Sequence, residues 1–137
     1  MGARSPRIDA SLPRPERLRR IVERDGAECV WCRRPFEPGR TEPSLEHVVP
    51  RLKGGPPWPE NEVAACRRDN RARGHIAPAA WLEECERRGW QPRRDVIEAR
   101  LLELRDAIAE RGGQRRARPY LDGQLRRLGL VGGGARG

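Results

Sequence analysis

Residues 46–74, EHVVPRLKGGPPWPENEVAACRRDNRARG, decide how this chain is read. The stretch sets Glu46 beside His47 and closes an apolar pair with Pro50. A Gly54-Gly55 turn follows, then Asn61, the step Cys66-x2-Asp69, Asn70, and arginines at 67, 68, 71 and 73. A matching Cys29-x2-Cys32 lies upstream. The first group suits attack on a phosphodiester. The cysteines suit a metal ion that holds the attacking groups in place.

Local structure follows from the same letters. Leu45 to Val49 reads as a short strand that ends at Pro50, and Val63 to Ala65 as its return. Between them, residues 53–61 are too rich in glycine and proline for helix or strand and read as an exposed, shaped loop, with Lys53 placed to meet a phosphate. Arg67 to Arg73 reads as a helix stopped by Gly74. Upstream, Pro15 opens a helix over about 15–25 with Leu18, Ile21 and Val22 on one face. Downstream the pattern is helical. One helix starts at Pro78 and carries Trp81, Leu82 and Cys85 inward. Another runs from Asp95 to about Arg111, with Glu98 at capping-box spacing and a stripe of Ile97, Leu101, Leu104 and Ile108. A last short helix from Pro119 carries Tyr120, Leu121, Leu125 and Leu128. The expected fold class is α+β: a small ββα module around a metal, followed by a helical extension. The expected division is a flexible basic arm (1–13), the ββα-metal module (14–77), the helical extension (78–129) and a fraying tail (130–137).

Composition sets the bounds. A chain of 137 residues with 36% hydrophobic residues has room for one modest core, the size range in which a metal or disulfide staple is common. The formal charge is +9, and all of the 29 basic residues except Lys53 are arginine. Arginine forks match phosphate and guanine edges, so nucleic acid is the expected partner. No run approaches the ~20 apolar residues of a membrane span, and no apolar segment marks a secretory signal. Cysteines spaced two residues apart fit metal ligation in a reducing compartment better than a disulfide framework, so a cytoplasmic location is expected.

For the structural metal, Cys29, Cys32 and Cys66 offer thiolates and Asp69 takes the fourth place, a Cys3Asp set that Zn2+ accepts. His75 is the rival fourth ligand. Cys85, alone on a helix face, reads as core. For the chemistry, His47 suits a general base, and Glu46 and Asn70 are hard oxygen donors suited to Mg2+ or Mn2+. Neighbours on a strand point to opposite faces, so Glu46 and His47 meet at one phosphate only where the strand bends. Asn61 reads either as a brace for the loop behind His47 or as a turn or helix cap, and spacing favours the cap. Of the arginines at 67, 68, 71 and 73, some are expected to grip phosphate and the rest to be solvated.

Taken together, these residues resemble the HNH endonuclease family in its cysteine-bracketed ββα-metal form. The family pattern is Cys-x2-Cys, Asp-His-hydrophobic-hydrophobic-Pro, Gly-Gly, Asn, then Cys-x2-Cys-[His/Asn]-Arg-x2-[Lys/Arg]-Gly. This chain supplies Cys29 and Cys32, Glu46-His47-Val48-Val49-Pro50, Gly54-Gly55, Asn61, and Cys66 through Gly74. The resemblance implies His47 as general base, Glu46 and Asn70 as ligands of the catalytic cation, Asn61 as the residue ordering the loop, and Cys29, Cys32, Cys66 and Asp69 as the structural zinc site. It implies cleavage of DNA, double-stranded by expectation, to 3′-hydroxyl and 5′-phosphate ends. Two positions depart from the pattern. Glu46 stands for aspartate, its extra methylene moving the carboxylate by about 1.5 Å, and Asp69 stands for cysteine. Two other readings remain open: a zinc-stabilised nucleic-acid-binding module without cleavage, and a protein-interaction module, or homodimer, built on the C-terminal helices.

Overall fold

The computed structural model describes residues 4–132. In chain order it contains α1 (Arg14–Asp25), β1 (Pro43–His47), β2 (Glu62–Cys66), α2 (Arg67–Arg73), α3 (Pro78–Arg87), α4 (Arg94–Arg111) and α5 (Ala117–Arg127), with single 3-10 turns at Arg51–Lys53 and Pro59–Asn61. The strands pair antiparallel, with Leu45 opposite Ala64, Glu46 opposite Val63 and His47 opposite Glu62. This is the expected α+β class: a two-stranded sheet, a short helix leaving its end, and helices around it. β1 lies two residues earlier than the sequence suggested. Val48 still donates in register to the Asn61 carbonyl (2.9 Å), but pairing stops there because the Asn61 amide goes to the Trp58 carbonyl (2.8 Å) and the Val48 carbonyl accepts from Arg73 (2.7 Å).

The loop between the strands is not the exposed segment expected. Gly55, Pro56, Pro59 and Asn61 are buried, and both 3-10 turns fall within or beside it. Asn61 explains this. Its side-chain oxygen accepts from the Val49 amide (2.8 Å), and its amide donates to the Val49 and Pro56 carbonyls (3.0 and 3.1 Å). It therefore braces the loop from within, and the cap favoured by spacing is not what the residue does. A fully buried amide with three partners is well satisfied, as burial requires. Lys53 stays exposed.

One apolar core joins the sheet module to the helices that follow. Trp31, Val48, Val49, Val63 and Ala65 pack in the same cluster as Trp81, Leu82, Cys85, Ile97, Leu101, Leu104, Ile108, Leu121 and Leu125. Trp31 and Trp81 meet edge to face (6.3 Å between ring centroids), as do Trp81 and Trp90 (6.2 Å), the geometry ring quadrupoles favour. The stripe read from α4 is buried throughout, each large side chain contributing about 1.5–3 kcal/mol of apolar transfer. The capping box is not formed. α4 begins at Arg94, no side chain caps it, and Asp95 pairs instead with Arg93 (3.2 Å).

The ends of the described chain lie against this body. Residues 4–7 run along α4, with Arg4 paired to Asp106, Arg7 to Glu110, and Ser5 hydrogen-bonded to Glu103, and Ile8 then packs beside Ile21 of α1. At the other end Leu130 donates its amide to the Leu125 carbonyl and packs on the core. The rest of the expected tail, residues 133–137, lies outside the described residues. No helix among the described residues is long and apolar enough to cross a membrane.

Candidate metal centre and catalytic cleft

The four predicted zinc positions converge. Ligand atoms of Cys29, Cys32, Cys66 and Asp69 all lie within 4.8 Å of one another. A tight turn supplies the first two: the Arg33 amide bonds back to the Cys29 carbonyl (2.9 Å) and the Cys29 amide to the Arg34 carbonyl (2.9 Å). The turn demands a left-handed residue, and Arg33 takes it at φ 65° where glycine would be unstrained. Cys66 ends β2 and Asp69 lies in the first turn of α2, so the third and fourth donors come from one strand-to-helix junction.

Further groups orient these donors. The Trp31 and Cys66 amides point at the Cys29 sulfur (3.4 and 3.3 Å), Arg34 donates to the Cys66 sulfur (3.2 Å), and Arg68 to Asp69 (2.8 Å). The Cys29 thiol donates to Asp69 (3.2 Å). Burial pushes the Cys29 and Cys32 thiols up. Burial also raises Asp69, but hydrogen bonds from Cys32, Arg68, Cys29 and Cys66 outweigh it and leave that carboxyl below its usual range. A divalent cation would displace the thiol protons and use the same four atoms. Three soft sulfurs and one carboxylate oxygen in a closed cluster fit Zn2+. His75 is exposed and outside the cluster. Cys85 is also outside it, buried on α3, its thiol pushed up to about 12 mainly by burial.

A second site lies on the other side of α2. An open cleft of about 180 Å³ is lined by Leu45, Glu46, His47, Pro50, Arg51, Asn70, Gly74 and His75. Glu46, His47 and Asn70, the three groups singled out for chemistry, therefore all contribute to its lining. Asn61 does not line it; it stands behind, holding the loop after His47.

Strand alternation holds at the cleft. Glu46 turns toward the core, where one oxygen accepts from Arg73 (2.6 Å) and from the Trp31 indole (3.0 Å). Its other oxygen, Oε1, is buried without a partner. Burial pushes the Glu46 carboxyl up against the pull of Arg73 and Trp31. His47 turns the opposite way, toward Glu62, its cross-strand neighbour. Nε2 lies 3.7 Å from a Glu62 oxygen and is likewise buried without a hydrogen-bond partner. Burial depresses the imidazole, and Arg14, Arg51 and Arg17 add to that against the opposing carboxylate of Glu62, so His47 is neutral at pH 7. Asn70 spends its amide nitrogen on Ser44 (3.0 Å) and the Leu45 carbonyl (3.4 Å), which leaves its carbonyl oxygen for a ligand. Buried oxygen and nitrogen atoms without partners are costly unless something else fills the space. Here the oxygen donors fit a hard cation such as Mg2+ or Mn2+.

Arg73 corrects the sequence reading. The sequence sets it among phosphate-gripping or solvated arginines, yet only 1% of its side chain is exposed. Besides Glu46 it donates to the carbonyls of His47 (2.8 Å), Val48 (2.7 Å) and Ile76 (2.9 Å), and it stacks on Trp31. A signal was available: Arg73 follows the inward-facing Asp69 by four residues and so shares its side of α2. Arg67 and Arg71 are exposed and, among the described residues, without an ion pair, as are Arg14 and Arg51 beside His47. Glu62 and Arg17 were not singled out from the sequence, because nothing in a strand pattern marks a buried carboxylate.

Residues 29–75, about a third of the chain, match the family model described as HNH endonuclease. No curated protein and no solved structure matches the chain.

Proposed function

We propose, with the HNH endonuclease domain at residues 29–75 as premise, that the protein is a metal-dependent DNA endonuclease. What supports this reading is a single open cleft lined by Glu46, His47 and Asn70, with a neutral His47, a Glu46 oxygen buried without a partner, and an Asn70 carbonyl left over by the bonds of its amide nitrogen. His47 takes the proton from a water that attacks phosphorus. The bond from phosphorus to the 3′ oxygen breaks, leaving a 5′-phosphate and, after that oxygen is protonated from solvent, a 3′-hydroxyl. Glu46 and Asn70 would hold Mg2+ or Mn2+, which when bound supplies charge for the phosphate and the leaving oxygen. Arg14 and Arg51, exposed beside the cleft, are placed to hold flanking phosphates of a duplex. Cys29, Cys32, Cys66 and Asp69 hold Zn2+ and so keep α2, and with it Asn70, at the cleft. A thiolate site favours a reducing compartment such as the cytoplasm.

The test is plasmid cleavage in Mg2+, Mn2+ and EDTA. Wild type is expected to cut with metal and not with EDTA, and His47→Ala to lose roughly 10²–10⁴ in rate while keeping its zinc and fold. Metal-dependent cutting by H47A at the full rate overturns the reading. The sign of the pH dependence is fixed. The neutral imidazole is the active form and its pKa lies below the usual 6.5, so the rate rises through that depressed value and is flat above it.

One observation favours a second reading, a zinc-stabilised nucleic-acid-binding module without cleavage. Arg73, 2.6 Å from Glu46, already balances the charge a catalytic cation would need. That module would bind DNA with strong salt dependence and cut it in no metal.

A further inference from the structure

We infer that Glu62, gripped by α1, is a positioning residue for His47: it accepts the Nε2 hydrogen and so leaves Nδ1 as the nitrogen that faces water in the cleft. The catalytic consequence rests on the endonuclease reading; the juxtaposition does not.

Glu62 is an unexplained carboxylate. Its side chain is completely buried on β2, in a strand whose other members are Val63, Ala64, Ala65 and Cys66. Arg17 binds it through both oxygens (2.9 Å each), and Arg24, two turns further along α1, donates to its backbone carbonyl (2.7 Å). The Arg17 guanidinium is itself fixed to the Leu12 carbonyl (2.9 Å). One face of α1 is thus built to hold a single residue in both its side chain and its backbone. Replacing a buried ion pair with apolar side chains is often neutral or stabilising, so packing alone does not account for this pair.

Geometry indicates what it serves. Glu62 is directly opposite His47 in the strand register, and their nearest atoms, a carboxylate oxygen and Nε2, are 3.7 Å apart. That is just beyond hydrogen-bond length, and such contacts are often loose before substrate binds. An ionised carboxylate only accepts, so the nitrogen that faces it must carry the ring hydrogen. A neutral imidazole has one such hydrogen. Placing it on Nε2 leaves the Nδ1 lone pair free, and the carboxylate then steadies the imidazolium that forms when Nδ1 takes a proton. Arg17 lies outside residues 29–75, so this support reaches the cleft from beyond the matched domain.

The chain has two histidines, which makes the test tractable. Zinc-loaded, 15N-labelled full-length protein is compared by long-range 1H–15N correlation, with His75→Gln assigning the signals. Wild type is expected to hold His47 in the Nε2–H form. Glu62→Gln, and the double variant R17M/E62L that removes both charges together, are expected to shift it toward the other tautomer. Both should lower kcat on duplex DNA by about 10- to 100-fold with KM unchanged. A role confined to anchoring α1 would move thermal stability and leave the tautomer as it is. An unchanged tautomer in a folded variant overturns the inference, as does an unchanged kcat in a protein that cuts. If wild type cuts no DNA in any divalent metal, the endonuclease reading falls, and the tautomer measurement still decides the Glu62–His47 contact by itself.

Discussion

Gly55 shows how little freedom the cleft's supporting loop has. A Cβ placed on it would stand 1.8 Å from the Val49 carbonyl oxygen and 2.8 Å from the Asn61 amide, so no side chain fits without breaking the brace. Gly55→Ala is expected to cost about 3 kcal/mol, read as a lower midpoint in chemical denaturation. Gly54 is constrained differently: it needs φ +91° and lies against Arg116, just before α5. Arg33 carries the opposite prediction. It is held left-handed directly after Cys32, and its exposed side chain donates to the Gln91 carbonyl. Arg33→Gly should raise stability by about 1 kcal/mol in the zinc-loaded protein, measured the same way.

Among the elements, α2 depends most on the metal. It is seven residues long, too short to persist by propensity, and Asp69 in its first turn is a proposed zinc donor, while Asn70 lines the cleft and Arg73 holds Glu46. Chelation at neutral pH is therefore expected to loosen α2 and the Cys29–Cys32 turn before the α3–α5 helices. Hydrogen exchange should show protection lost first at residues 29–34 and 66–74. This element was legible because its ligand spacing and the Gly74 stop are local signals. The two strands were also legible, since apolar pairs bounded by proline mark them. What could not be read was the interior of the loop: Gly55 and Pro56 are buried against Val49 and Asn61, which meet them only once the loop has closed on itself. The same holds at the site. His47, Glu46 and Asn70 stand out by type and spacing. Glu62 and Arg73 do not, because a charge looks solvated until the fold buries it opposite its partner. The capping box at Asp95 failed for a related reason, Arg93 being close enough to take the carboxylate.

For the whole molecule, the domain that matches the family does not own its core. Trp31, Val48 and Val49 are covered by side chains from α3, α4 and α5, and Glu62 by α1. A fragment of residues 26–77 loaded with zinc is expected to lack the dispersed amide spectrum of the full chain. The N-terminal arm adds a pH-dependent contribution. Burial raises Glu103, but Ser5 and Arg100 outweigh it, so its carboxyl sits below the usual range when folded. A depressed carboxylate stabilises the fold above its unfolded value near 4.5 and loses that contribution as pH falls through the folded one. Glu103→Gln should remove on the order of 1 kcal/mol at pH 7 and little at pH 3, seen by comparing melting curves at the two pH values. Trp31 ties the two centres together: its backbone amide points at the Cys29 sulfur, while its indole donates to Glu46. A single residue bridging both would make the occupancies of the two proposed metal sites interdependent. If zinc in one tightens the grip of the other on its cation, that cation must tighten the grip on zinc by the same factor, and the indole's emission will report the filling of either.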